Sequence, residues 1–151
     1  LRYSYRFSQN PMLRSGLILA GGNWAWTGFV DTLINLGAKK NGILTALEVS
    51  GLNLRKTKLV VLSACETGLG KIEGSEGTFG LKRGFKLAGV EQMIVSLWKV
   101  DDEKTMELMT LFYEDLTESL NPVISFEKAQ KQMRETYPKH PDLWAGFVLV
   151  R

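Results

Sequence analysis

The chain has 151 residues, enough for one compact domain, and its 44% apolar and 23% charged residues exclude a disordered tail. Lysine and arginine total 19 against 16 acidic residues, and a balance of +3 is too mild to imply by itself a nucleic-acid surface or a membrane anchor. Cys65 is the only cysteine and His140 the only histidine, which excludes an intrachain disulfide and a multi-histidine metal site.

No apolar run approaches the roughly 20 residues of a membrane helix, and nothing reads as a signal peptide. A single thiol fits a reducing, cytoplasmic setting. Leu1 to Arg14 has no clear period and reads as irregular. Gly16 to Ala20 is short and apolar, stops at Gly21-Gly22-Asn23, and is predicted as a short strand. Trp24 to Asn41 reads as loop, with a short helix around Phe29 to Leu36. Gly42 to Val49 fits a short helix better than a strand. Leu59 to Ala64 is the strongest strand signal: β-branched and continuous, as in a central parallel strand buried on both faces.

Glu66 to Gly77 holds four glycines and is predicted as a long surface loop. A helix follows from Thr78 to Ala88, with Phe79, Phe85, Leu87 and Ala88 as core candidates and Gly89 just past its end. Gln92 to Trp98 is a second buried strand. Asp101 or Asp102 caps a helix over Glu103 to Leu120, whose apolar face is Met106, Met109, Phe112 or Tyr113, Leu116 and Leu120. Asn121-Pro122 breaks it. Ser125 caps a helix to Tyr137 with Phe126, Ala129, Met133 and Tyr137 inward. Pro138 to Pro141 is a rigid turn, and Leu143 to Val150 a third strong strand. The alternation of strands and helices implies an α/β fold with a mostly parallel sheet flanked by helices.

In open α/β sheets, reactive groups gather beyond the carboxyl ends of the strands. Ser63-Ala64-Cys65-Glu66-Thr67-Gly68 places a thiol at the exit of the first strong strand, followed by a glycine-rich loop. Cys65 is read either as buried filler or as a nucleophile; the second needs a base or a positive field, since a free thiol is largely protonated at neutral pH. His140, in a proline-flanked turn, is the only candidate base in the chain. Trp98-Lys99-Val100-Asp101-Asp102 puts carboxylates at the next strand's exit, either as helix caps or as site residues. A phosphate loop is excluded: Gly70-Lys71 is followed by Ile72, and Glu66, Glu73 and Glu76 repel phosphate.

Val60-Val-Leu-Ser-Ala-Cys-Glu-Thr-Gly-Leu-Gly70 resembles the cysteine motif of the CHAT domain, a caspase-like, separase-related group of clan CD peptidases often found after TPR repeats. Other landmarks recur in the family's order: Ser15 to Asn23, Asn41 to Ala46, Glu76 to Leu81 with Ala88-Gly89, Ser96 to Thr105, and His140 to Phe147. The resemblance covers nearly the whole chain. It implies a caspase-like α/β fold and a cysteine endopeptidase whose nucleophile is Cys65, without cofactor or metal. The family's dyad histidine belongs to a His-Gly pair upstream of the segment matching Ser15, so residues 1–151 are expected to be the carboxyl-terminal portion of one CHAT domain. His140 then matches a structural His-Pro pair. Asp102, with Asp101 beside it, matches the pocket that favours a basic side chain before the cut, and Glu66, Thr67 and Gly68 follow the nucleophile as substrate-binding residues. The implied partners are a protein or peptide substrate and TPR repeats or the upstream half of the domain, with neither nucleic acid nor membrane. The alternative is a caspase-like interaction module without catalysis.

Overall fold

The structure, a computed structural model, describes residues 10–13, 15–20, 22, 42–63 and 76–151. The loop and short helix expected over Trp24 to Asn41, and the glycine-rich loop up to Ser75, lie outside them. The described residues group into two compact units, 10–56 with 76–90 and 57–63 with 91–151.

In the first unit a 3-10 turn, Pro11–Leu13, precedes β1 (Gly16–Ile18), which pairs antiparallel with β2 (Ile43–Thr45). The helix expected over Gly42 to Val49 is therefore corrected: its first residues are strand, and α1 occupies Ala46–Ser50. Thr45 decides the boundary. Its backbone is extended, its Oγ1 accepts the Glu48 N–H at 3.2 Å, and the Glu48 carboxylate accepts the Thr45 N–H at 2.8 Å. This reciprocal cap satisfies two donors that a helix start leaves open, so the helix begins at Ala46 and not before.

Helix α2 (Glu76–Leu87) starts two residues earlier than the spacing predicts. Leu81, Phe85 and Ala88 are buried, whereas Leu87 is 61% exposed and is not a core residue. Gly89, at φ +96°, ends the helix as expected. Its N–H donates to Lys86 O, and the Val90 N–H to Phe85 O. That paired closure needs a left-handed residue at the turn, which glycine adopts without steric cost.

The second unit holds the sheet β3 (Leu59–Leu62), β4 (Gln92–Ser96) and β5 (Phe147–Val150), in the order β3-β4-β5. β3 runs parallel to β4, from Leu59 opposite Gln92 to Leu62 opposite Val95. β5 runs antiparallel to β4, with Ser96 opposite Phe147. The fold is α/β, and the direction of β5 follows from what precedes it. Helix α3 (Asp102–Ser119) and helix α4 (Pro122–Thr136) are joined by Leu120 and Asn121 alone, so they return the chain to the end of the sheet that β4 left. Two consecutive antiparallel helices reverse the next strand; a single crossover helix would have made it parallel. β4 is the central strand among those described, buried from Met93 to Ser96, while β3 is half-buried along its length.

Ile94 and Phe147 from the sheet pack with Leu108 and Phe112 of α3 and Phe126, Ala129 and Met133 of α4. Phe112 meets Phe126 edge-on, ring centroids 6.0 Å apart. The inward residues of α4 are those the spacing predicts. Those of α3 are so in part: Phe112 is fully buried and Met109 and Leu116 pack against the core as expected, but Leu108, which the spacing did not pick out, is fully buried too, while Met106 and Leu120 are 66% and 82% exposed. Ser125 is not a cap; Asn121 is, its Oδ1 accepting the N–H groups of Val123 and Ile124, with Pro122 at the first helical position where no N–H is missed. Ser125 lies buried inside α4 and donates to Asp115 Oδ2 at 2.7 Å. The last strand is shorter than predicted because Pro141–Leu143 coil into a 3-10 turn, closed by Trp144 and Ala145 N–H groups on Pro141 O.

The Thr45 cap is testable. Thr45→Ala should lower the unfolding free energy by about 1 kcal/mol, read from the denaturant midpoint, and Thr45→Ser should restore most of it. Equal stability of the two variants would show that the hydroxyl does not set this helix start.

Candidate functional site

Parallel pairing gives β3 and β4 a common carboxyl end. β3 leaves it at Ser63, which is exposed; β4 leaves it at Ser96, which is buried. β5, running the other way, enters at this same end through Gly146 and Phe147. Three chain segments therefore converge where α/β folds collect their chemistry.

The segment after β4 is held from two directions. The Leu97 N–H donates to Gly146 O at 2.7 Å. Trp98 is 42% exposed, and its indole N–H donates to Asp142 O at 3.3 Å. Gly146 makes this packing possible: a Cβ there would stand 3.0 Å from Trp98 Nε1 and run into Val100 Cγ2, and Val100 is only 1% exposed. Asp101 then caps α3, its Oδ1 accepting the Lys104 N–H at 3.1 Å. Asp102 is the first residue of the helix. Both carboxylates are exposed, and both stand where the helix dipole favours negative charge.

The first turn of α3 is tied to the end of α4 by three side chains. Lys104 Nζ donates to Tyr137 Oη at 2.7 Å and to Glu107 Oε2 at 3.0 Å, and Tyr137 Oη donates to Glu107 Oε2 at 2.9 Å. The ammonium also lies 4.4 Å from the centre of the Tyr137 ring. The Tyr137 hydroxyl, then Glu107, raises Lys104 above the usual lysine range. The Lys104 ammonium, helped less by Tyr137, holds the Glu107 carboxyl below its usual range against partial burial. Trp144 Nε1 donates to Tyr137 O at 3.2 Å, which joins this triangle to the segment leading into β5. The Lys104–Glu107 spacing was visible in the sequence; Tyr137, 33 positions away from Lys104, carried no such signal.

Cys65 lies outside the described residues, as do Glu66, Thr67 and Gly68; Ser63, two positions before the cysteine, is the last described residue of that segment. Asp101 and Asp102 lie on one continuous segment beyond β4. His140 is exposed in the turn before Pro141, its Nδ1 4.0 Å from Asp142 Oδ1. Among the described residues, no group of three or more histidine, cysteine or acidic side chains could hold a metal ion, and no helix is long and apolar enough to cross a membrane.

Among known families, the CHAT domain matches residues 5–151. Tetratricopeptide repeat protein 28 of Mus musculus is 33% identical over 122 residues, 80% of this chain and 5% of that protein. Tetratricopeptide repeat protein 28 of Homo sapiens is 33% identical over 109 residues, 72% of this chain and 4% of that protein. The chain thus spans a small fraction of the length of either relative. No solved structure matches it.

Two outcomes follow from this geometry. Gly146→Ala should destabilise the fold by about 1–3 kcal/mol through overpacking and shift the emission of Trp98; an unchanged midpoint would mean that the indole is not wedged there. The second outcome concerns acid. A carboxylate depressed in the folded state contributes stability above its unfolded value, and loses it as the pH falls through the lower folded value. Glu107 starts from an ordinary value of 4.5, so Glu107→Gln should flatten the loss of stability below about that pH, and an identical acid limb in the variant would remove the argument.

Proposed function

Since the chain belongs to the CHAT-domain family, we propose that it carries the cysteine half of a Cys/His endopeptidase site, with Cys65 as nucleophile. The observation that supports this most is the shared carboxyl end of β3 and β4. It brings Ser63, two residues before Cys65, to the end of the sheet from which Asp101 and Asp102 depart. A nucleophile and a polar recognition segment on adjacent strand exits can flank one peptide bond.

In this reading the Cys65 thiol gives its proton to an imidazole outside residues 1–151, and the thiolate adds to the scissile carbonyl carbon. The oxyanion is held by backbone N–H groups, including that of Cys65. The tetrahedral adduct collapses, the amine leaves with the imidazolium proton, and water hydrolyses the thioester and regenerates the thiol. Glu66, Thr67 and Gly68 continue past the nucleophile as substrate-binding backbone. Asp102, flanked by Asp101, takes a basic side chain of the substrate. An exposed carboxylate at a helix start, already facing a favourable dipole, is poised to accept a second positive partner. TPR repeats, named in the relatives, would gate access to the site from the same polypeptide or from a partner, in the cytoplasm.

The test uses the full-length protein and a peptide bearing a thiol-reactive warhead after a lysine or arginine. Labelling should occur, should vanish in Cys65→Ser, and should slow about tenfold in Asp102→Asn, a loss of one charged contact. Residues 1–151 alone should not label. If the full-length protein is not labelled under any condition that activates it, the chain is a non-catalytic interaction module. If labelling is equally fast with an acidic residue in place of the basic one, Asp102 does not read the substrate.

A further inference from the structure

We propose that the outer face of α3 is a docking surface for a basic amphipathic helix of a partner segment, a role separate from the peptidase reading. Met106, Tyr113 and Leu120 recur every seven residues, with Thr110 and Thr117 between them, and all five are exposed. The three apolar members are 66%, 47% and 82% exposed. Met106, Thr110, Tyr113 and Thr117, alternating by four and three, form one stripe on the helix, and Leu120 follows them just beyond its last residue, Ser119; such a stripe is the seam that a second helix reads. The core takes the neighbouring face instead, through Leu108 and Phe112. Met106 and Leu120 lie outside that core cluster, whereas the Tyr113 ring stands 4.9 Å from that of Phe112 and leaves its outer part exposed. An open groove beside the stripe is lined by Glu103, Lys104, Met106, Glu107, Thr110 and Leu111, its one ammonium already paired with Glu107.

Leu120 sharpens the case. It ends α3 at φ 51°, ψ 20°, the left-handed region, and it is the only described non-glycine residue with positive φ. Glycine or asparagine suits that backbone, and a polar residue suits that exposure. Leucine suits neither, so its presence is a cost to this fold with no return inside it.

Charge selects the occupant. Helix α3 carries six carboxylates and one lysine in a chain whose balance is +3. Glu103, Glu107, Glu114 and Glu118 line one flank of the stripe, and only Glu107 among them forms an ion pair within the described residues. Glu103 with Glu107, and Glu114 with Glu118, are like charges four apart, an arrangement that weakens the helix on its own. A second copy docked face to face would bring two such rows together. A helix with lysine or arginine beside its apolar stripe would neutralise the row while covering Met106, Tyr113 and Leu120.

The experiment uses the full-length protein and a fluorescent three-heptad synthetic helix with leucine at its seam and lysine at the flanking positions. A control probe replaces the lysines with glutamates. The lysine probe should bind, weaken with added salt, and lose affinity about tenfold in Met106→Gln and in Leu120→Gly, as expected for removing a buried anchor. The control should not bind. Leu120→Gly should leave the thermal midpoint unchanged or higher, which separates lost docking from lost folding. The proposal is overturned if the lysine probe does not bind, if both probes bind alike, or if neither substitution changes affinity. It is also overturned if the wild-type chain self-associates through this stripe, because the occupant would then be a second copy.

Discussion

The hydrogen-bonded pairing of β3 with β4 is the constraint on which the candidate site rests. Four residues face four in parallel register, Leu59 opposite Gln92 through Leu62 opposite Val95. Because the strands are parallel, both chains leave the sheet at one end. A register slip would displace that meeting point and turn every side chain of a strand to the opposite face. β4 resists such a slip, being buried from Met93 to Ser96 and paired on both sides.

The segment beyond β4 is fixed with comparable economy. Gly146 permits close approach, the Trp98 indole N–H finds Asp142 O, and Asp101 closes the first turn of α3. Lys104, Glu107 and Tyr137 then tie that turn to the end of α4. The cluster is partly exposed, so water screens its charges and the value of the arrangement lies in geometry more than in energy. Carboxylates that are held in place before a ligand arrives lose less freedom on binding it.

Helix α3 serves two masters. Its inner face joins Ile94, Phe126 and Phe147 in the core, while its outer face sets an apolar stripe against a row of glutamates. The helix contains more apolar residues than one core face needs. The chain belongs to the CHAT-domain family and its relatives are named for tetratricopeptide repeats; the stripe is an argument from this chain's own residues.

Much of this was determined by sequence alone, wherever the cause is local. Gly89 marked a helix end because only glycine accepts that turn cheaply, and Asp101 marked a helix start because its carboxylate reaches a nearby N–H. The cysteine motif and the Ser96 to Thr105 segment identified the family before any fold was seen. The Thr45 boundary was legible too, in the spacing to Glu48, but the apolar residues around it outweighed that signal. Tertiary structure decided what depends on distant partners. Met106 and Leu108 are both apolar and both compatible with a helical stripe, and only the position of Phe126 and Phe147 selects Leu108 for the core. Ser125 became a buried donor because Asp115 lies opposite, and β5 was reversed because two helices, not one, precede it. Local hydrogen bonds are written within a few residues, whereas the face a helix buries is chosen by elements that the chain supplies much later.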